Sequence, residues 1–302
     1  MPRQSKIVIL CGKGGVGKTT LSLSLGLRRA EQGEKVVVVS SHPLPELAVA
    51  VSLHGIERDY PAAAKNLFVV HIDPKELLAD VVRANFPMEW LAKAVLESRL
   101  YNNLIEVAPG LKEFYFLARL QELAERSADG HPDYDLLLWD APSTGHFLST
   151  LDAARNFETF LTGPLAAAGA ELAHFFSNAE HITVVPVTTL EEMAIDETIE
   201  LCRKLEARHR LRATAVVLNL VSPLATAGEA EVGEVAGAAL AQDDAALRFA
   251  VERGLLERER AASVRARIHA PAFAVERMRA FSSDLDLLSQ IGRVLDALPT
   301  AA

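Results

Sequence analysis

The sequence predicts an α/β fold in which a doubly wound, mostly parallel sheet is flanked by helices. Two observations support this prediction. Short apolar runs recur along the 302 residues, with helical stretches between them. The runs are continuously apolar rather than alternating, which is typical of strands that helices cover on both faces. The length suits two domains or one large one, and we predict a single domain that spans 1–302.

Seven segments have the apolar character expected of these strands. In chain order they are 6–11, 35–40, 67–73, 134–140, 181–187, 213–220 and 268–273. Two other segments, 74–125 and 147–180, carry apolar residues at roughly helical spacing. We predict that both form a helical subdomain within the domain. They are either ordinary covering helices or a surface that binds a client protein.

The segment after the first predicted strand has a conflicting pattern. Leucines from Leu21 to Leu27 alternate with Ser and Gly, which is the period of a half-buried strand. We predict a helix nevertheless, because the segment follows a glycine-rich loop of the kind that needs a helix N-terminus to hold phosphate. Gly33 is the expected stop of this helix.

Charge and cysteine content argue against several kinds of site. The formal net charge is −9, from 31 basic and 40 acidic side chains, whereas nucleic acids and anionic lipids require clustered positive charge. Cys11 and Cys202 form no CxxC pattern, so they supply no four-cysteine zinc site. Without a signal-peptide pattern or a long apolar stretch, we expect a cytoplasmic protein with no stable membrane anchor.

Residues 12–19 match the phosphate-binding pattern G-x-x-x-x-G-K-[ST], with a predicted strand before and a predicted helix after. Its glycines allow backbone N–H groups to point at phosphate oxygens. Lys18 is expected near the β- and γ-phosphates, and the Thr19 hydroxyl is the expected Mg²⁺ ligand. ATP and Mg²⁺ are therefore the predicted cofactors. The loop residues predicted to hold the nucleotide are Gly12, Lys13, Gly14, Gly15, Val16, Gly17, Lys18, Thr19 and Thr20.

An acidic residue and a glycine mark the end of the fourth predicted strand. Asp140 ends that strand, at a position where a carboxylate can hold the Mg²⁺ shell. Gly145 follows a few residues later, and its N–H can donate to a γ-phosphate only when that phosphate is present. We predict that Asp140 is the second metal ligand and that Gly145 belongs to a nucleotide-dependent switch.

The loop sequence KGGVGKT at 13–19 resembles the deviant Walker A loop of the ATPase class that includes MinD, ParA, nitrogenase iron protein and arsenical-pump ATPases. This resemblance implies a dimer closed around nucleotide, in which Lys13 acts on the partner's nucleotide. Asp140 and the sequence TGH at 144–146 resemble the DTAPTGH motif of the arsenical-pump ATPase and of the related ATPase that delivers tail-anchored membrane proteins. The three residues between Asp140 and 144–146 differ from that motif.

Further stretches are similar to the same family and follow its order over 6–222. The sequence HIDP at 71–74 resembles its EIDP, and PGLKE at 109–113 resembles its PGxxE. Asn219 resembles the family's adenine-reading Asn, although an Asn that merely terminates a strand is the alternative. Glu191 resembles an acid that contacts nucleotide across the dimer.

The resemblance breaks at the first switch. The family has DPAH there, with an Asp that orients or activates the attacking water, whereas this chain has SSHPLPE at 40–46 and His42 in place of that Asp. A neutral imidazole could accept the proton, and Glu46 is a nearby carboxylate; a structural loop role for His42 is the alternative. We therefore expect ATP binding with slow or partner-dependent hydrolysis. The second hypothesis is a nucleotide-sensing regulatory subunit that pairs with a paralogue carrying the Asp.

The expected partner is a second copy of the chain or a paralogue. The resemblance also implies a hydrophobic protein client; only Met88 of the four methionines lies in the two helical segments, but Phe and Leu can line a groove too. A positioning ATPase of the ParA or MinD type is disfavoured. The net charge opposes DNA binding, and the segment 287–298 offers a membrane surface one basic residue, Arg293.

Overall fold

The computed structural model describes residues 6–41, 66–85, 88–98, 110–129, 131–241 and 244–299. Within these ranges a seven-stranded, wholly parallel sheet is covered by helices on both faces. The doubly wound α/β fold predicted from the continuous apolar runs is confirmed.

The strands of this sheet are β1 (Lys6–Gly12), β2 (Val36–Ser40), β3 (Leu67–His71), β6 (Leu136–Ser143), β7 (Ile182–Thr188), β8 (Val216–Val221) and β9 (Ala272–Glu276). A separate antiparallel pair consists of β4 (Ser127–Ala128) and β5 (His131–Pro132). The helices are α1 (Lys18–Glu31), α2 (Pro74–Asn85), α3 (Glu89–Leu96), α4 (Leu111–Glu125), α5 (Thr144–Phe160), α6 (Pro164–Phe175), α7 (Glu192–Lys204), α8 (Pro223–Thr226), α9 (Glu229–Ala241), α10 (Ala245–Ile268) and α11 (Asp284–Val294). A π-helical turn (Leu205–His209) continues α7, and a 3₁₀ turn (Leu295–Ala297) follows α11.

Strand β1 occupies the centre of the sheet, whose order is β3-β2-β6-β1-β7-β8-β9. Leu10 of β1 pairs with Asp140 of β6 on one side and with Val185 of β7 on the other. Because every strand is parallel, all carboxyl ends meet at one edge, and open α/β sheets bind their ligands at that edge. The loop that follows β1 therefore lies between the ends of its neighbours.

The hydrophobic core has one layer on each face of the sheet. On the first face, Ile9 and Trp139 pack with Phe116 of α4 and Phe147 of α5. On the second face, β1 and its neighbours pack against α1 and the C-terminal helix α11. Parts of both segments that were predicted to be helical, 74–125 and 147–180, thus contribute directly to the core.

Helix α1 is confirmed, and its alternating leucines have a packing explanation. All four leucines from Leu21 to Leu27 are buried, and so are Ser22 and Ser24. The helix is enclosed by the sheet on one side and by α11 on the other, where a Cβ atom at Gly292 would lie 2.7 Å from the Ser24 carbonyl oxygen. An apolar stripe restricted to one face was therefore not required.

The end of α1 lies where the sequence predicted it. Gly33 has a φ of 97°, in the left-handed region, and ends α1 as predicted.

At the C-terminus, α11 buries Leu288 and Ile291 against α1. Across the part of the chain that the structure describes, no helix is long and apolar enough to cross a membrane.

Several strand boundaries differ from the prediction. The predicted strand 268–273 was wrong at its start, because α10 continues to Ile268 and a left-handed His269 ends it, so β9 begins at Ala272. In the segment 213–220, Ala213 forms an isolated bridge, and β8 begins at Val216. Both shifts arise because an apolar run does not by itself show where ladder hydrogen bonds start.

Candidate nucleotide-binding site

Three glycines of the loop after β1 stand at positions that disfavour a side chain. Gly15 and Gly17 have φ values of 83° and 93°, in the left-handed region. A Cβ atom at Gly12 would overlap the Val187 carbonyl oxygen of β7, and one at Gly17 would overlap the Asn219 side-chain nitrogen. The loop then leads into the N-terminus of α1, whose unpaired N–H groups and dipole favour an anion.

Lys18 is anchored inside this loop. Its side chain is largely buried, and Nζ donates to the carbonyl oxygens of Gly12 at 3.1 Å and Lys13 at 3.0 Å. Burial lowers the pKa of Lys18, and the Asp140 carboxylate opposes that shift. The loop thus holds a cationic group at the N-terminus of α1, an arrangement that suits the β- and γ-phosphates of a nucleotide.

Thr19 and Asp140 form the shortest polar contact of the site. The Thr19 hydroxyl donates to Asp140 Oδ2 at 2.6 Å, and Asp140 is only 6% exposed. Burial raises the pKa of the Asp140 carboxyl, while the Thr19 hydrogen bond and the Lys18 charge lower it. Asp140 Oδ1 is also buried and accepts no hydrogen bond from the described residues. A buried carboxylate oxygen with no donor beside a threonine hydroxyl matches the hard oxygen ligands of Mg²⁺, so both residues fit that ion.

The segment that follows Asp140 lies against the loop. Strand β6 runs on to Ser143, which pairs with Gly12, and α5 begins at Thr144. The backbone at Gly145 is open, since a Cβ atom there would meet no atom within 4 Å. The Thr144 hydroxyl is buried, with no hydrogen bond found among the described residues. The predicted switch residue Gly145 thus follows a strand end that pairs with the first residue of the loop.

Asn219 reaches the loop from the other side. It is buried at the end of β8, and its Nδ2 donates to the Val16 carbonyl oxygen at 2.8 Å. Asn219 therefore contacts the phosphate loop directly. Glu191 is exposed at the N-terminus of α7, outside this buried group.

The first switch is only partly within the described residues. Ser40 ends β2 and pairs with Asp140, so the chain leaves β2 beside the predicted Mg²⁺ ligand. His42 and Glu46 lie outside the described residues.

Two features near the site were missed by the sequence reasoning. A cavity of about 440 Å³ lies at the carboxyl ends of β8 and β9, lined by Pro223, Arg277, Met278 and Gln290 among others. The second feature is Glu257, an acid that is 7% exposed on α10. It falls within the buried stripe of that helix, and an acid at such spacing was the signal that could have identified it.

Comparisons with known proteins identify the family of this chain. The family model for anion-transporting ATPases matches residues 5–171, more than half of the chain. A putative arsenical pump-driving ATPase 2 of Aquifex aeolicus is 32% identical over 165 residues, which cover 52% of each chain. ATPase BagA of Mycobacterium tuberculosis is 26% identical over 253 residues, or 75% of this chain and 70% of that protein.

A third relative, ATPase ASNA1 homolog 1 of Paramecium tetraurelia, is 29% identical over 149 residues, which cover 49% of this chain and 43% of that protein. The match thus spans about half the length of the Aquifex and Paramecium relatives. The matched family region contains the loop 12–20, Asp140 and Gly145. By this match and by its parallel sheet around a phosphate loop, the chain belongs to the anion-transporting ATPase family.

Proposed function

We propose that this chain is a Mg²⁺-dependent ATPase that binds ATP on the loop 12–20. The observation that carries the proposal is the contact between Thr19 and the buried Asp140, beside the anchored ammonium of Lys18. Asp140 Oδ1 accepts no hydrogen bond among the described residues. Such a group is expensive to bury unless a cation and an anion complete it. The family relationship supports the same conclusion.

In the proposed reaction a water oxygen attacks the γ-phosphorus, the bond to the bridging oxygen breaks, and ADP and inorganic phosphate form. Lys18 and the loop N–H groups bind the phosphates, and Thr19 and Asp140 hold Mg²⁺, which neutralises charge on the phosphate oxygens when bound. The Gly145 N–H is proposed to donate a hydrogen bond to the γ-phosphate. Because α5 carries Gly145, the position of this helix would then depend on whether the γ-phosphate is present. His42 is proposed to orient or deprotonate the attacking water.

The base is proposed to lie beyond Asn219, towards the cavity at the ends of β8 and β9. This placement is supported by two contacts: Asn219 touches the phosphate loop, and the Arg277 N–H donates to the Val221 carbonyl oxygen at 3.0 Å. The second contact joins the segment that lines the cavity to the strand that carries Asn219. A nucleotide bound on the loop could therefore extend its base in that direction.

The wider assembly is also part of the proposal. Two copies, or this chain and a paralogue, close around nucleotide, with Lys13 and Glu191 of each subunit facing the other's nucleotide. The helices of 74–125 and 147–180 form a subdomain of the single domain 1–302 and respond to the switches, and a hydrophobic client would bind there. A cytoplasmic location is supported by the two free thiols, Cys11 and Cys202.

A second candidate function is a nucleotide-sensing subunit with little hydrolysis of its own. The observation that favours it is His42, which stands where the family motif has a water-activating Asp. Phosphoryl transfer relies mostly on positioning and charge stabilisation, so the loop can bind ATP whether or not that position supports turnover. Such a subunit would pair with a paralogue that carries the Asp.

The test is steady-state phosphate release from the purified chain in Mg-ATP. Lys18→Ala removes the buried ammonium and should abolish turnover and weaken ATP binding by at least about a hundredfold. Lys35→Ala, at an exposed lysine next to β2, is the matched control and should behave like the wild type. ATP binding without turnover would favour the nucleotide-sensing subunit. An absence of ATP binding by the wild type would contradict both candidates.

A further inference from the structure

The end of β8 contains a bulge that places Asn219. Asn219 pairs with Val275 of β9, and Val221 pairs with the next residue, Glu276. Strand β8 thus has one more residue than β9 between these two pairs. Leu220 is the extra residue. Bulges commonly occur beside functional sites, where they re-aim a neighbouring side chain.

Leu220 has a conformation that its side chain does not favour. Its φ is 58°, in the left-handed region where a branched side chain crowds the backbone, and it is 43% exposed. A conformation of this kind persists only when the surrounding structure holds it.

The turn is held on both sides. Before it, Asn219 Nδ2 donates to the Val16 carbonyl oxygen at 2.8 Å. After it, the Ser222 N–H donates to Glu257 Oε2 at 2.6 Å, and Glu257 reaches from α10 with a side chain that is nearly fully buried. The other carboxylate oxygen, Oε1, accepts from Arg253 Nε at 3.1 Å.

We propose that Glu257 is a positioning residue for the nucleotide base, because its buried carboxylate holds the left-handed turn at Leu220 and so keeps Asn219 against the phosphate loop. The inference rests on the proposed function, in which Asn219 lies at the base. The phosphate loop is also held by contacts that do not involve Glu257, since Lys18 Nζ donates hydrogen bonds to the carbonyl oxygens of Gly12 and Lys13. Loss of Glu257 should therefore weaken recognition of the base and leave the phosphate contacts in place.

The structure also explains why an acid serves here. The Ser222 N–H begins the short helix α8 and precedes Pro223, which has no N–H of its own. An ionised carboxylate accepts a stronger hydrogen bond from a backbone N–H than a neutral group does. Arg253 accompanies the charge of Glu257, so the buried carboxylate is paired.

The experiment compares two ligands that share a chain of three phosphates, of which only ATP also carries the ribose and the base. Calorimetry would measure the affinity for Mg-ATP and for the Mg²⁺ complex of inorganic tripolyphosphate. Glu257→Leu should weaken Mg-ATP binding about tenfold, the size expected for one charged hydrogen bond, and leave tripolyphosphate binding unchanged. Glu257→Gln keeps an acceptor oxygen and should restore most of the Mg-ATP affinity. Glu259→Leu, at an exposed acid on the same helix, is the matched control and should bind both ligands like the wild type.

A second pair of variants tests the turn without altering the buried charge. Leu220→Gly removes the side chain that disfavours the left-handed conformation and should keep Mg-ATP affinity. Leu220→Ile introduces a β-branched side chain, which tolerates that conformation less well, and should reduce Mg-ATP affinity while sparing tripolyphosphate. If Glu257→Leu does not fold, this pair still tests the turn, because Leu220 is half-exposed, and Glu257→Gln tests the carboxylate.

The possible outcomes distinguish a failure of the proposed ATPase function from a failure of the role proposed for Glu257. If the wild type binds neither ligand, the proposed function itself fails. If the wild type binds Mg-ATP, equal losses for both ligands in Glu257→Leu and Leu220→Ile would show a merely structural role and overturn the inference. Unchanged binding of both ligands in these two variants would overturn it as well.

Discussion

Asp140 and Asn219 come from strands on opposite sides of β1, and both contact residues of one loop. Both side chains are buried, and Asp140 is left with an oxygen that accepts no hydrogen bond among the described residues. Polar groups are rarely buried in this way for stability alone, because the lost hydration must be recovered by a partner. At the scale of single residues, the site is therefore recognisable by buried polar atoms that find no hydrogen-bond partner among the described residues.

His209 is a second buried polar residue, remote from the loop. It lies at the end of the π-helical turn, 5% exposed, with Nε2 3.2 Å from Asp152 Oδ1. Burial lowers the pKa of His209; Arg155 and Arg208 lower it further, and Asp152 opposes them. The neutral imidazole is thus the form that the folded chain prefers.

We expect this histidine to make the fold acid-sensitive. Above the ordinary histidine pKa both the folded and the unfolded chain carry it neutral, so it has no effect on stability. As pH falls through that value, the unfolded chain gains a proton that the folded chain does not, and the free energy of unfolding decreases. His209→Gln should flatten this decrease in urea titrations between about pH 7 and pH 5. His174→Gln, at an exposed histidine of α6, should leave it intact; equal slopes for wild type and His209→Gln would contradict the assignment.

At the scale of elements, the end of α1 gives a clear test of backbone conformation. The Gly33 N–H donates to the Ala30 carbonyl oxygen and the Glu34 N–H to that of Arg29, with Gly33 left-handed. This is the hydrogen-bond pattern with which a glycine commonly ends a helix. A Cβ atom at Gly33 would meet no atom within 4 Å, so only the backbone opposes a side chain there.

Gly33→Ala should lower the free energy of unfolding by about 1 kcal/mol, because the Cβ atom of alanine crowds the backbone in the left-handed conformation. Gly237→Ala is the matched variant, since Gly237 is equally open but lies inside helix α9. It should raise the free energy of unfolding by about 0.5–1 kcal/mol, the difference in helix propensity. Chemical denaturation of both variants measures these changes. A stabilising effect of Gly33→Ala would show that the left-handed cap is not maintained in solution.

The features that the sequence predicted are those with a local pattern. The strand–loop–helix unit around Lys18 is continuous in sequence, and Asp140 ends an apolar run, so spacing alone suggested both. The contact of Glu257 with the Ser222 N–H joins residues 35 apart and depends on how α10 packs on β8. No local pattern specifies such packing, and the bulge at Leu220 has no glycine to mark it. The shifted start of β9 has the same origin, because ladder partners and not composition decide where a strand begins.

At the scale of the whole molecule, the proposed dimer can be tested through Lys13. Its carbonyl oxygen accepts from Lys18, a contact that a change of the Lys13 side chain leaves in place. Lys13→Ala should therefore keep ATP binding but lower turnover about a hundredfold or more, as loss of a cation supplied in trans does. Sedimentation velocity in Mg-ATP should show a dimer that ADP does not support. Turnover per chain that is independent of protein concentration, with the chain monomeric throughout, would contradict the dimeric mechanism.

The central position of β1 has a consequence for how the chain is made. β1 leaves the ribosome first among the strands of the sheet, but its neighbours β6 and β7 begin only at Leu136 and Ile182. At typical synthesis rates the strand before the phosphate loop waits on the order of ten seconds for its first partner. Its apolar side chains and unpaired backbone groups are exposed to other chains during that interval, as is common for sheets built from distant strands. A nascent chain can thus acquire the nucleotide only late in translation, after Asp140 has joined the sheet.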